Sequence, residues 1–152
     1  PYVKTTRGQA LAMYVVYDSP LQMLADSPIS YSKTNGKWPQ PQSEWEDGLE
    51  FIKDVPVTWD ETRILQGNIG EYIVSARRKG KDWYIGTMTN ETGRSIHIPL
   101  RFLDKGNYSA QIWQDGKTIS TLSKSEATHT AKQTINLNLA ASGGAVVALK
   151  KQ

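Results

Sequence analysis

Two hydrophobic rhythms divide the chain near residue 55. Before it the apolar residues come in runs: Ala10 to Tyr17, within "GQALAMYVVYDSPLQMLADSP", are eight successive apolar or aromatic positions. Such a run suits a buried helix or a buried strand, and periodicity alone does not separate the two. Ala10, Leu11, Ala12 and Met13 favour helix, and Pro20 limits its extent. Leu21 to Ala25 then reads as a short buried strand closed by Asp26, Ser27 and Pro28. A loop rich in Asn, Gly, Pro and Ser follows at 32–43. Beyond it "SEWEDGLEFIKDV" predicts a short amphipathic helix, with Ser43 as N-cap and Trp45, Leu49 and Ile52 on one face. Helix, tight turn and buried strand form the rhythm of an α/β fold.

From Thr58 onward the period becomes two. "TRILQGNIGEYIVSARRKGKDWYIGTMTN" predicts three strands, parted by Gly67–Gly70 and by a hairpin at Lys79-Gly80-Lys81-Asp82. In "RSIHIPLRFL" Ile96, Ile98 and Leu100 alternate with His97 and Pro99, and Pro99 calls for an edge or a bulge. "GNYSAQIWQDGKTIST" predicts a hairpin around Asp115-Gly116. "QTINLNLAASGGAVVALKK" supplies an alternating strand, a Gly143-Gly144 turn and an apolar strand. About eight short strands indicate an antiparallel sandwich or barrel. The α/β segment cannot bury its apolar residues alone. It needs the remainder of its own domain, or must lie against the β-domain.

Composition narrows the chemistry. Cysteine is absent and there are two histidines, which argues against thiolate chemistry, a histidine zinc site and a Ser-His-Asp triad. A net charge of +3, with both signs mixed along the chain, is no nucleic-acid footprint. No segment approaches the roughly 20 apolar residues of a membrane span. The chain opens "PYVKTTRGQA", without Met or a signal-peptide pattern, and reads as the interior of a longer protein.

The order "SPLQMLAD", "FIKDVPVTWDET" and "SARRKGKDWYIGTMTN" resembles glycoside hydrolase family 97, a family of α-glucosidases and α-galactosidases. The resemblance is weakest after about residue 117. It implies that residues 1–54 end a catalytic (β/α)8 barrel and that 55–152 form the terminal antiparallel β-sandwich. It also implies a large N-terminal β-domain, an α-linked oligosaccharide substrate, calcium and an exported, periplasmic location. The acid, the base or nucleophile and the calcium ligands would lie on earlier barrel strands, so no catalytic residue and no metal ligand is expected in this chain.

Barrel chemistry gathers at the C-terminal ends of the strands. Asp26, closing Leu21–Ala25, would then border the sugar pocket, or else cap the turn before Pro28. Trp38, in the following loop, would offer an indole for stacking on an outer sugar. "TWDE" places Trp59 beside Asp60 and Glu61, residue types of a sugar site. Its position beyond the last barrel helix suits a joint instead, with Trp59 at the barrel–sandwich interface and the two acids paired with Arg63, Arg77 or Arg78. A carbohydrate-binding sandwich would need a row of exposed aromatics, for which Tyr72, Trp83, Tyr84, Tyr108 and Trp113 are the candidates. His97 should point away from the core, and His129 should lie in a polar loop.

Overall fold

The computed structural model describes residues 4–23, 31–33 and 46–152. Two helices, α1 (Arg7–Val16) and α2 (Leu49–Asp54), precede eight strands. These are β1 (Glu61–Asn68), β2 (Tyr72–Lys79), β3 (Asp82–Thr89) and β4 (Arg94–Pro99), then β5 (Tyr108–Asp115), β6 (Leu122–His129), β7 (Thr134–Leu139) and β8 (Gly144–Lys151). The pairings among these eight strands are antiparallel, in a six-stranded sheet ordered β1-β2-β3-β8-β5-β6 and a two-stranded sheet β4-β7.

The central strands of the larger sheet are buried on both faces. Against β4-β7 it buries Val74, Ile85, Ala110, Val147 and Leu149 with Ile96, Ile98, Ile135 and Leu137. On its other face Tyr84, Trp113, Val146 and Ala148 meet Leu11, Ala12 and Val15 of α1 and Phe51 of α2. Each fully buried Val, Leu, Ile or Phe side chain among these contributes about 1.5–3 kcal/mol. This double coverage explains why β8 is buried continuously from Gly144 to Leu149, whereas β7 alternates with every second residue in solvent.

Local chemistry sets the element ends. Thr6 caps α1 by accepting from the Gln9 amide at 3.0 Å. The buried positions Gly8, Leu11, Ala12 and Val15 form one helical stripe. The β2–β3 hairpin turns at Gly80, φ 60°, with Lys79 opposite Asp82. Pro99 ends β4 opposite Thr134 in the two-stranded sheet, an edge position that asks little of its missing amide.

Three expectations need correction. Leu21–Met23, the described part of the expected buried strand, pairs with nothing regular, and Leu21 and Met23 are 76% and 78% exposed. The second helix starts only at Leu49, after Gly48 at φ 94°, and its buried residue is Phe51 rather than Leu49 or Ile52. Ser43 and Trp45 lie outside the described residues. His129 ends strand β6 instead of sitting in a loop, because the hairpin connection after Asp115 runs to Thr121 and carries the strand further along.

Candidate functional site: the joint between the helices and the sheet

Close approach of backbone to backbone is the first feature of this joint. At Gly86, in the middle of β3, an added Cβ would lie 2.8 Å from Val15 Cβ and 3.0 Å from the Ala12 carbonyl oxygen. At Gly8 it would lie 2.2 Å from the Gly144 carbonyl oxygen, and at Gly144 2.6 Å from Gln9 Cα. Glycine at these points lets α1 settle directly on β3 and β8. A lone glycine within a strand pattern is the sequence signal for such an approach.

Asp115 fastens the start of α1. Its Oδ1 accepts from the Thr6 hydroxyl at 2.5 Å, and its Oδ2 accepts from the amides of Ala140 and Gly144 at 2.8 and 3.0 Å. One carboxylate thus joins the helix cap to the β7–β8 turn. The Gln9 amide side chain adds a bond to the Thr89 carbonyl at 2.9 Å.

The other end of α1 is held by Arg77, a buried cation on β2. Its guanidinium donates to Asp18 Oδ1 at 3.0 Å and to the Val16 carbonyl at 3.2 Å, satisfying a helix-end acceptor. Trp59 closes this end: its ring stands edge-on to Tyr84 at 5.4 Å, with the Arg77 guanidinium 5.8 Å from its centroid. α2 is docked by Glu50, which accepts from the Trp113 indole at 2.8 Å and pairs with Lys124 at 3.3 Å. Burial pushes the Glu50 carboxyl up, but the indole, the helix backbone and Lys124 outweigh it and hold the group below the ordinary range. Phe51 adds a ring contact with Trp113 at 5.3 Å.

Asp60 and Glu61 are framework. Asp60 accepts from the Gly80 amide at 2.7 Å and pairs with Lys79 at 3.4 Å and Arg78 at 3.8 Å. Glu61 bridges Arg63 at 2.6 Å and Arg78 at 3.1 Å. The Gly80 amide, with Lys79 and Arg78, lowers the Asp60 pKa; Arg63 and Arg78 lower that of Glu61. A glycosidase acid must keep its proton near neutral pH, and both of these groups are driven the other way. Arg63 and Arg78 are partners as expected, while Arg77 turns to Asp18 instead.

Of the five aromatics that might have formed a sugar platform, Trp83, Tyr84, Tyr108 and Trp113 are buried. Tyr72 is half-buried, with Arg94 5.3 Å from its ring centroid. His97 is exposed, with Nδ1 2.6 Å from Asn136 Oδ1. Asp26 and Trp38, the expected pocket residues, lie outside the described residues. Among the described residues no group of three or more His, Cys, Asp or Glu side chains is arranged to hold a metal. The roles of Asp115, Arg77, Glu50 and Gly86 escaped the sequence reading, since each depends on a partner far away in the chain.

Comparison with known proteins fits this arrangement. Residues 58–150 match the family described as "Glycosyl-hydrolase 97 C-terminal, oligomerisation". The chain is 40% identical over 116 residues to a retaining α-galactosidase of Bacteroides thetaiotaomicron, covering 76% of this chain and 16% of that protein. It is 33% identical over 106 residues to a probable retaining α-galactosidase of Streptomyces bingchenggensis, covering 70% and 15% respectively. A solved family 97 enzyme of Pseudoalteromonas sp. strain K8, in complex with acarbose, superposes with a TM-score of 0.84 at 38% identity, over 97% of this chain and 23% of that one. The chain therefore spans about a sixth of the curated relatives it matches, and it belongs to glycoside hydrolase family 97, with residues 58–150 matching that family's C-terminal domain.

Proposed function

We propose that this chain is the C-terminal part of an exo-acting α-glycoside hydrolase, which removes terminal α-linked galactose or glucose with a carboxylate pair carried by preceding barrel strands. The observation that carries this reading is the double-sided sheet. Over the central strands its second face is covered by α1 and α2, helices of the α/β segment, so the sandwich and that segment share one apolar core. The side of α1 turned from the sheet presents Met13 and Tyr14, which with Met23, Leu49 and Ile52 line a groove of about 310 Å³. In this reading the rest of the barrel lies there. The domain's own work is support and, as the family description suggests, assembly.

A sugar-binding sandwich is the weaker reading, because the aromatics it would need are buried. Calcium would take its ligands from outside the described residues and would supply a cation for binding or activating the sugar. Export to the periplasm belongs to the same reading. The test compares the whole enzyme with the 152-residue chain on nitrophenyl α-galactoside and α-glucoside. Hydrolysis by the whole enzyme alone is expected; hydrolysis by the short chain would overturn the placement of the carboxylates.

A further inference from the structure

On its helix-bearing face the six-stranded sheet divides into three neighbouring strand pairs, and two of them carry a helix. α1 lies on β3 and β8, with Val15 over Gly86 and Gly8 against Gly144. α2 lies on β5 and β6, with Phe51 and Glu50 on Trp113 and Glu50 paired with Lys124. Over the third pair, β1 and β2, the described residues bury Ser75 and Arg77 of β2, with Trp59 at the Arg77 end, and leave Ile64 of β1 open.

Alternation puts Ile64 of β1 and Ile73 of β2 on this face, since Ile64 stands opposite Ser75, and Gly67 opposite Ile73. Ile64 is 61% exposed. With Ile73, Met88, Val16 and Tyr17 it lines an open cleft of about 710 Å³. Two strands spaced about 4.8 Å apart present a strip about 10 Å wide, the width of one helix with its side chains.

The two sheet edges differ. β6 carries Lys124 and Glu126 and no large exposed apolar residue, the usual protection of a free edge. β1 has charges only at its start, then exposed Ile64 and, just beyond its end, fully exposed Ile69. A bulge between Ile64 and Gln66 interrupts the ladder, which disfavours edge-to-edge pairing with another strand and leaves the face as the contact. Tyr17 lines this cleft and also the small groove formed with Met13, Leu21 and Met23, so the apolar surface is continuous from one to the other.

We infer that the strip over β1 and β2 seats a third helix, supplied by the part of the same enzyme chain that precedes this sequence and laid beside α1 on Ile64, Ile73 and Met88. This rests on the reading of the chain as the end portion of a longer enzyme, whose curated relatives are about six times its matched length. The third helix completes the layer that α1 and α2 begin.

The test places a photo-crosslinking benzoylphenylalanine at position 64 of the full-length enzyme and maps its products by mass spectrometry. The expected product joins position 64 to a segment preceding Pro1 within one polypeptide, with no dimer band on a denaturing gel. A dimer band would make a second copy the occupant and overturn the inference. Crosslinks to residues 24–45, or none at all, would overturn it equally. In parallel, Ile64→Glu should lower the melting temperature of the full enzyme, whereas Ile119→Glu, at another exposed apolar position, should not. Hydrolysis of a nitrophenyl α-galactoside or α-glucoside by the same preparation separates the two ideas. Activity without the intrachain product sinks only the third helix; absence of activity sinks the parent reading.

Discussion

The hydroxyl of Thr6 donates to the carboxylate of Asp115 across 109 residues of sequence, and the same hydroxyl accepts from the Gln9 amide to cap α1. The other oxygen of Asp115 holds the Ala140 and Gly144 amides. Asp115→Ala would leave two amides and a hydroxyl without their acceptor. The expected loss is about 3 kcal/mol, read as a lower urea midpoint with an unchanged slope. Asp115→Asn, which keeps the shape but turns one acceptor into a donor, should fall between the two.

Gly86 should tolerate nothing larger. An added methyl would press on Val15 and on the Ala12 carbonyl, both fixed in the helix. Gly86→Ala is expected to cost about 1–3 kcal/mol by forcing α1 off the sheet. Hydrogen exchange should show faster opening of α1 amides with β4-β7 unchanged.

Arg77 is buried and bound to the end of α1, so charge alone will not replace it. Arg77→Lys keeps the cation but loses the planar fork that reaches Val16 and Asp18 together. A destabilisation of about 2 kcal/mol is expected from the hydrogen bonds to a charged group, measured by thermal melts. If Arg77→Lys melted like the parent, the fork would not be what holds this helix end.

Acid should weaken the fold in two stages. Burial lowers the pKa of His129, whose Nδ1 is buried without a hydrogen-bond partner. Its folded-state pKa lies below the unfolded value, so the unfolded chain takes up the proton first, and stability falls as pH drops below about 6.5. His129→Gln should flatten that segment of a stability–pH curve. Glu50, Asp60 and Glu61 are also depressed, and their contribution is complete above the ordinary carboxylate range of about 4 and lost as pH falls through it. A curve flat from pH 7 to 5 in the parent would contradict the His129 assignment.

The β-domain was readable because its signals are local. Ile135, Leu137 and Leu139 alternate, Gly80 supplies a positive φ, and where about eight strands were expected the described residues form eight. The joint was less so. "TWDE" could be placed by its position between helix and strand, and its acids pair with nearby cations as expected. Asp115 looked like an ordinary turn residue, because nothing in "QDGK" refers to Thr6. Leu21 and Met23 are apolar in a pattern that asks for burial, yet they are exposed among the described residues. A hydrophobic pattern records that a residue is to be covered and not by which part of a protein.

The position of β8 in the larger sheet governs the order in which the domain can be made. β1-β2-β3 and β5-β6 share no ladder with each other; residues 144–151 join them by pairing with β3 on one side and β5 on the other. During synthesis the two halves emerge first, as a three-stranded meander and a hairpin with apolar faces open. The central ladder, the β8 half of the seat of α1 and the amide of Gly144 that Asp115 binds all arrive with that one late segment. Such long-range pairing slows folding, because the loop between partners must close before any contact rewards it. Until that strand pairs, the helices that lean on this sheet wait, unfinished, for its keystone.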